Sequence, residues 1–260
     1  MSTSEGFRRE DEMVHYLNDK KVKELNSNLK KMLEALFGVI DEEEIVKCEI
    51  VLGFAKPDLK ITYQGIDKYV SMKTGNASTI HTDDIKKFTD YLLGLGFPKE
   101  AIDVILLFHY GDGTTDGSGL VRHDFNYLMR KYEDQIAFAN LELNSNKDLI
   151  IKAVCYTMFG ALNDEKPPAD AIYYGTYING SLATKYQIIR HIHNRSWEHI
   201  YCLHIGPLLM RPHARYVDRP IPEKNKREIV DVYWFNFVND IKFISTKYSN
   251  YICKPRRPNY

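Results

Sequence analysis

A carboxylate, a hydroxyl and an amine lie at the ends of a predicted hairpin, with types and spacing suited to catalysis. Asp58 begins one stretch of alternating apolar and polar residues, and Ser71 and Lys73 close the next, after a Gln64-Gly65 turn. Such alternation is typical of half-buried strands. Because strand side chains alternate between faces, Ser71 and Lys73 point the same way, toward where the first strand can present Asp58. The stretch therefore predicts a catalytic hairpin.

A helix upstream of the hairpin supplies a second carboxylate. Apolar residues at steps of three and four predict helix from residue 7 to residue 36, with a break at Asn18-Asp19, since both residues favour caps and turns. Glu10 is on the same stripe as Val14 and Leu17, so we expect it to face the interior. A buried carboxylate costs free energy unless it is paired, hydrogen-bonded or metal-bound. The alternative is a solvated acid in the first helical turn.

The remaining pattern predicts an α/β fold, with a mixed central β-sheet flanked by helices and further α/β elements in the C-terminal half. The near-continuous apolar run Ala101–Tyr110 predicts a strand buried on both faces. Thr82 is predicted to cap a helix that carries Asp83 and Asp84 in its first turn. The other predicted strands are 45–52, 171–178 and 198–205, and the other predicted helices are 122–140, 148–159, 185–193 and 224–244. Gly, Asn, Asp and a Pro pair in 160–168 predict an internal boundary, although one continuous domain remains an alternative.

Composition excludes some classes of function. The 260 residues carry 35 basic and 35 acidic side chains, which argues against a binder that holds nucleic acid by charge alone. No apolar run reaches the roughly 18–20 residues of a membrane span, and the charged N-terminus does not resemble a signal peptide. The four cysteines lie far apart without metal-ligand spacing. We therefore expect free thiols, no membrane partner and a cytoplasmic protein.

Two other segments invite metal or ligand hypotheses. The loop 111–119, GDGTTDGSG, lacks the ligand spacing of a calcium loop and the lysine of a P-loop. We expect a tight loop whose glycines take positive φ, with a sugar or nucleotide site as the alternative. The pair His191 and His193 lacks the additional Cys or His ligands of a zinc site, so ordinary histidines are the favoured interpretation.

Pro57-Asp58, a gap of twelve residues and Ser71-Met72-Lys73, after a helix that bears Glu10, resemble the PD-(D/E)XK nuclease superfamily. The resemblance implies that Glu10 and Asp58 bind Mg²⁺, for which Mn²⁺ can substitute, and that Lys73 positions or activates the attacking water. Ser71 stands where the family has an acid. The Met72 carbonyl, or a carboxylate from Asp83 or Asp84, would then complete the metal site.

The same resemblance implies a restriction-type endonuclease of bacterial or phage origin that cuts double-stranded DNA as a homodimer. Residues 1–160 would form the catalytic core, and 161–260 would complete the fold and supply DNA contacts or dimer surface. The candidate DNA-binding residues are Lys60, Asn76, His81, Arg195, Arg211 and Arg215. The alternative is a catalytically inactive protein of nuclease fold that acts as a DNA-binding or regulatory module.

Overall fold

Helices and strands are mixed along the chain, which confirms the predicted α/β class. The computed structural model describes residues 3–53, 56–75, 79–119, 121–160, 167–197, 200–213 and 224–248. The helices are α1 (Thr3–Leu17), α2 (Ser27–Phe37), α3 (Ile85–Leu95), α4 (Lys99–Tyr110), α5 (Phe125–Lys131), α6 (Glu133–Asn144), α7 (Lys147–Phe159), α8 (Lys185–His193), α9 (Lys224–Arg227) and α10 (Phe237–Lys247). The strands are β1 (Lys20–Lys21), β2 (Ile45–Ile50), β3 (Leu59–Tyr63), β4 (Ile66–Lys73), β5 (Thr79–Asp84), β6 (Ala171–Gly175), β7 (Gly180–Thr184), β8 (His204–Ile205), β9 (Leu208–Pro212) and β10 (Ile229–Trp234). None of these helices is both long and apolar enough to cross a membrane.

The chain forms two compact units, each built from separate segments. Unit 1 comprises residues 1–77, 158–191 and 237–260, and unit 2 comprises 78–157 and 192–236. Neither unit coincides with the consecutive parts 1–160 and 161–260 that the sequence predicts. The physical reason is the parallel pairing of β6 with β4, which makes a segment from beyond residue 160 part of the hairpin's own sheet.

Unit 1 contains a six-stranded sheet in the order β1-β2-β3-β4-β6-β7. All neighbours are antiparallel except β4 and β6, which run parallel. The predicted hairpin is β3 and β4. Its turn residues Gln64 and Gly65 have φ values of 49° and 74°. Positive φ at both central residues gives the twist that a two-residue hairpin needs, and it fixes the pairing of Tyr63 with Ile66.

The core of unit 1 lies between this sheet and helices α1 and α2. The predicted break at Asn18-Asp19 is confirmed, since Asp19 has a φ of 57° and the Asn18 side chain accepts a 3.0 Å hydrogen bond from the Cys48 N–H. The break therefore ties the helices to β2. Buried apolar residues that face each other across this layer include Met13, Leu17, Leu29, Leu33, Val46, Ile61, Val70 and Met72.

Unit 2 contains a four-stranded antiparallel sheet in the order β5-β10-β9-β8. Helix α4 packs against α3, α6 and β9. The prediction of a strand at Ala101–Tyr110 is wrong, because this run is α4. A continuous apolar run does not by itself distinguish a buried strand from a buried helix. Left-handed Gly96 ends α3 and Pro98 stands at the N-cap of α4, so a helical hairpin forms there.

Two further predictions about unit 2 and the C-terminal segment are wrong. Thr82 does not cap a helix: it lies in β5, and Asp84 caps α3 by accepting a 3.0 Å hydrogen bond from the Lys87 N–H. The predicted helix 224–244 is instead α9, β10 and α10. Val230, Val232 and Trp234 are fully buried at every second position, so their strand periodicity prevails over the apparent helical stripe. The predicted helix 122–140 divides into α5 and α6, and of the predicted strand 198–205 only His204–Ile205 is a strand, with residues 198 and 199 outside the described ranges.

Candidate functional site

The hairpin brings Asp58 and Ser71 into direct contact. Ser71 donates its hydroxyl to Asp58 Oδ2 at 2.8 Å, and the Met72 N–H donates to the same oxygen at 2.5 Å. The backbone sets this geometry, because the Asp58 N–H donates to the Val70 carbonyl at 3.1 Å and continues the ladder of the hairpin. The carboxylate is therefore held at the open end of the hairpin, where β3 begins and β4 ends.

Ser71 takes the place that the sequence resemblance gives to an acid. Its side chain is fully buried, and it supplies a hydrogen-bond donor to Asp58 where an acid would supply a second negative charge. Met72 also contacts Asp58 through its N–H, whereas the sequence predicted a role for its carbonyl. Both contacts orient one carboxylate, so Ser71 is a positioning residue for Asp58 in this arrangement.

Glu10 shares the electrostatic environment of Asp58. It lies partly buried on α1, about one turn before Met13 and two turns before Leu17, which are both fully buried. The pKa of Glu10 is raised to about 7, first by burial and then by repulsion from Asp58 and Asp11, while attraction to Lys73 opposes the rise. The charges of Asp58 and Lys73 therefore reach Glu10, so α1 and the hairpin contribute to one site.

Two lysines complete this site. Lys73 ends β4, and the Tyr174 hydroxyl holds the segment after it by donating to the Gly75 carbonyl at 2.8 Å. Within the described ranges, no hydrogen bond or ion pair engages the Lys73 ammonium. Lys56 was missed in the sequence analysis. Burial, followed by repulsion from Lys73, holds the pKa of Lys56 well below its usual value, while Asp58 opposes the shift. The only sequence signal was its position two residues before Asp58.

The residues present fit a hard divalent cation of the kind the resemblance implies. Among the described residues, no hydrogen bond reaches Asp58 Oδ1, and the Glu10 carboxylate accepts none. Carboxylate oxygens are the donors that Mg²⁺ prefers, and one or two of them suffice because Mg²⁺ keeps several waters. The described ranges hold no group of three or more His, Cys, Asp or Glu side chains placed to bind a metal. Glu10 and Asp58 are therefore the two carboxylates that would hold such a cation.

The carboxylates suggested as replacements for the missing acid already serve other roles in unit 2. Asp83 Oδ2 lies 3.2 Å from His81 Nε2 and accepts a short hydrogen bond from the Tyr156 hydroxyl. Burial alone would raise the pKa of Asp83, but the hydrogen bonds with His81 and Tyr156 outweigh it and lower the pKa. Asp84 is the cap of α3. His81, a predicted DNA contact, is accordingly oriented by a buried carboxylate.

The other predicted DNA contacts are dispersed. Lys60 pairs with Glu49 at 2.8 Å on the surface of unit 1. In unit 2, the Arg211 guanidinium carbon lies 5.0 Å from the centre of the Tyr233 ring and that of Arg195 lies 4.6 Å from the Trp197 ring. Asn76 and Arg215 lie outside the described residues.

Arg195 lines a groove of about 1060 Å³ that lies wholly in unit 2. Tyr201, whose side chain is 86% exposed, lines the same groove with Trp197. The charged residues among the described lining are Arg130, Lys147, Arg195 and Glu133. The lining thus combines aromatic rings with an excess of positive charge, a combination that the linear sequence did not reveal because its residues come from separate helices and loops.

Replacing Glu10 by Gln measures how its raised pKa changes the stability of the fold with pH. Since the folded pKa of about 7 exceeds the ordinary 4.5, the carboxyl favours folding below pH 4.5, and that contribution disappears as pH rises through 7. In EDTA, we expect Glu10→Gln to gain about 1 kcal/mol of unfolding free energy relative to wild type between pH 5 and pH 8, after allowance for solvent screening. Urea unfolding at both pH values measures this, with the exposed Glu34→Gln as control. An equal pH trend in both variants would contradict the shared environment of Glu10 and Asp58.

Comparison with known proteins adds no relationship: no protein-family model, no curated protein and no solved structure matches the chain.

Proposed function

We propose that the protein is a Mg²⁺-dependent endodeoxyribonuclease, with its active site at the β3–β4 hairpin of unit 1. The observation that carries this proposal is that Glu10 of α1 lies within electrostatic range of both Asp58 and Lys73, although α1 and the hairpin are separate elements. Two carboxylates and one ammonium can support metal-dependent phosphodiester hydrolysis, since they can hold a cation and stabilise a phosphate whose negative charge increases during the reaction.

Each residue has a distinct role in this mechanism. Glu10 and Asp58 Oδ1 would hold the cation, while the Ser71 hydroxyl and the Met72 N–H keep Asp58 in place through its other oxygen. A bound Mg²⁺ would supply a Lewis acid for the phosphate and lower the pKa of its coordinated water. Lys73 would place its ammonium against a non-bridging phosphate oxygen or the attacking water. A preorganised charge in a shielded site stabilises the transition state more than a solvated one does.

Lys56 extends this mechanism. Its pKa is lowered by burial and then by repulsion from Lys73, so a phosphate that arrives with negative charge would favour the protonated form of Lys56. Substrate binding would therefore place two ammonium groups near the phosphate. This role would make Lys56 a second cationic residue of the active site, beside Lys73.

We further propose that double-stranded DNA is the substrate and that unit 2 contributes contacts to it through the groove around Arg195. Arg130, Lys147 and Arg195 outnumber Glu133 there, and cationic side chains provide most of the affinity for nucleic-acid phosphates. Cutting both strands requires two active sites, which a homodimer would provide. Cys48, Cys155 and Cys202 form no disulfide bond within the described part of the chain, which suits a cytoplasmic enzyme.

A cleavage assay tests the proposed activity. Methylated and unmethylated bacteriophage and genomic DNA would be incubated with the protein in Mg²⁺, in Mn²⁺ or in EDTA, because such mixtures sample many recognition sequences. We expect discrete fragments with either metal and intact DNA in EDTA. DNA that stays intact with every divalent metal would contradict the proposed nuclease activity.

An inactive DNA-binding module of the same fold is the second candidate, and Ser71 is the observation that favours it. Ser71 donates a hydrogen bond to Asp58, whereas an active PD-(D/E)XK nuclease has a second negative charge at this position. This candidate predicts DNA binding that is unchanged by EDTA and weakens with salt, with a slope of about −0.9 per phosphate contacted. Fluorescence anisotropy of labelled duplex DNA in EDTA and in Ca²⁺ distinguishes it, because a nuclease that holds the cation at the scissile phosphate would bind more tightly with the metal.

A further inference from the structure

Arg122 is a buried cation next to the glycine-rich loop 111–119 of unit 2. Only 4% of it is exposed, and its Nε, Nη1 and Nη2 atoms have no hydrogen-bond partner within the described part of the chain. The centre of the Tyr110 ring lies 5.9 Å from its guanidinium carbon. A buried guanidinium without hydrogen bonds is costly, because it loses hydration without replacing it.

A second arginine lies close enough to repel Arg122. Arg227 Nη2 donates to Asp112 Oδ2 at 2.9 Å and to the Gly119 carbonyl at 3.4 Å, while its buried Nε has no described partner. Burial lowers the pKa of Arg122, and the charge of Arg227 lowers it further. Two cations therefore share one interior region, and both keep unused donors.

The nearby carboxylates do not satisfy these donors. Asp112 is fully buried and accepts hydrogen bonds from the Thr114 N–H, the Thr114 hydroxyl and the Gly119 N–H as well as from Arg227. Glu228 accepts a 2.6 Å hydrogen bond from the Tyr110 hydroxyl. Asp112 thus fixes the loop and Arg227, and the donors of Arg122 remain available.

We propose that Arg122 and the Nε of Arg227 bind a phosphate group beside the loop 111–119. The planar guanidinium fork matches phosphate oxygens in a bidentate manner, and one tetrahedral anion can accept from two arginines at once. Because Arg122 is almost fully enclosed, the site suits free phosphate or a terminal phosphate monoester rather than an internal phosphodiester of a duplex. This inference is independent of the cleavage chemistry at the hairpin.

Thermal unfolding with inorganic phosphate as the probe tests the site. At constant ionic strength, the midpoint of the wild-type protein should rise with the logarithm of phosphate concentration, as expected when a ligand binds the folded state only. Arg122→Met should lose this response and, without phosphate, should be at least as stable as wild type, because an unpaired buried charge has been removed. The exposed Arg190→Met is the matched control and should respond like wild type. Equal responses of Arg122→Met and wild type, or no wild-type response, would overturn the proposal.

Two additions make the test decisive and identify the source of the phosphate. If Arg122→Met does not fold, Arg122→Lys keeps the charge without the fork, and calorimetry should show phosphate affinity at least about tenfold weaker than in wild type. An unchanged affinity would refute the site. Adenosine monophosphate and a 5′-phosphorylated oligonucleotide, each compared with its unphosphorylated form, separate a terminal phosphate from the free anion. Acetate that matches phosphate in effect would instead indicate a carboxylate site and contradict the proposed ligand.

Discussion

Lys73→Met is expected to lower Mg²⁺-dependent DNA cleavage by about 10²–10³-fold, the usual cost of removing one preorganised charge or donor at a transition state. The change should leave folding intact, because no hydrogen bond or ion pair of the described residues depends on the Lys73 ammonium. It should also remove the repulsion that adds to burial, the larger cause, in lowering the pKa of Lys56. Cleavage rates under single-turnover conditions, together with urea unfolding of the same preparations, measure both effects.

Lys47→Met is the matched control for this experiment. Lys47 is an exposed lysine on β2 of the same sheet, so its loss removes an equal charge away from the hairpin edge. The control should keep wild-type cleavage within about twofold, since surface substitutions away from special features are close to neutral. If Lys73→Met cleaves DNA as fast as wild type, Lys73 has no role in the active site. Equal losses of cleavage in the two variants would show that Lys73 acts only through the net charge of the protein.

Asp58→Ala should lose both stability and cleavage, whereas Asp58→Asn should lose cleavage with a much smaller loss of stability. The alanine leaves the buried Ser71 hydroxyl and the Met72 N–H without an acceptor, which costs about 2 kcal/mol in EDTA. Asparagine keeps one acceptor oxygen but has no charge for a cation. We expect cleavage to fall at least about 10²-fold in both variants, because a carboxylate ligand is lost in each.

Asp67→Ala is the control for Asp58. Asp67 lies in the same hairpin and accepts a hydrogen bond from Thr62, but it is exposed at the turn. Its loss should change the unfolding free energy by less than about 0.5 kcal/mol. Unfolding in EDTA and cleavage in Mg²⁺ complete the comparison. If Asp58→Asn cleaves like wild type, Asp58 is a structural residue and the inactive module becomes the better hypothesis.

Local signals in the sequence were sufficient for the hairpin and its contacts. The Gln64-Gly65 turn and the alternation on each side fix the register, and the register alone brings Asp58 opposite Ser71. Likewise, the helical stripe places Glu10 one turn before Met13, and the capping preferences of Asn18-Asp19 mark the break that follows α1. Each of these features depends on residues that are close in the chain.

Features that depend on distant partners were not predictable. Ala101–Tyr110 is apolar enough for either a strand or a helix, and only packing against other elements makes it α4. The strand at Ile229–Trp234 exists because β5 and β9 pair with it on both sides. Lys56 had no signal beyond its position two residues before Asp58, since its environment depends on burial and on Lys73. The buried arginines were hidden for the same reason.

The parallel pairing of β4 with β6 has a consequence for synthesis on the ribosome. Val70 and Met72 of β4 emerge about 100 residues before Ala171 of β6, which at 5–20 residues per second is a delay of roughly 5–20 s. During that interval one backbone edge of β4 has no neighbouring strand, and an unpaired apolar edge is prone to associate with other chains. The nascent hairpin is therefore a segment that protection by a chaperone would help, and a fragment that ends at residue 160 would keep that edge open permanently.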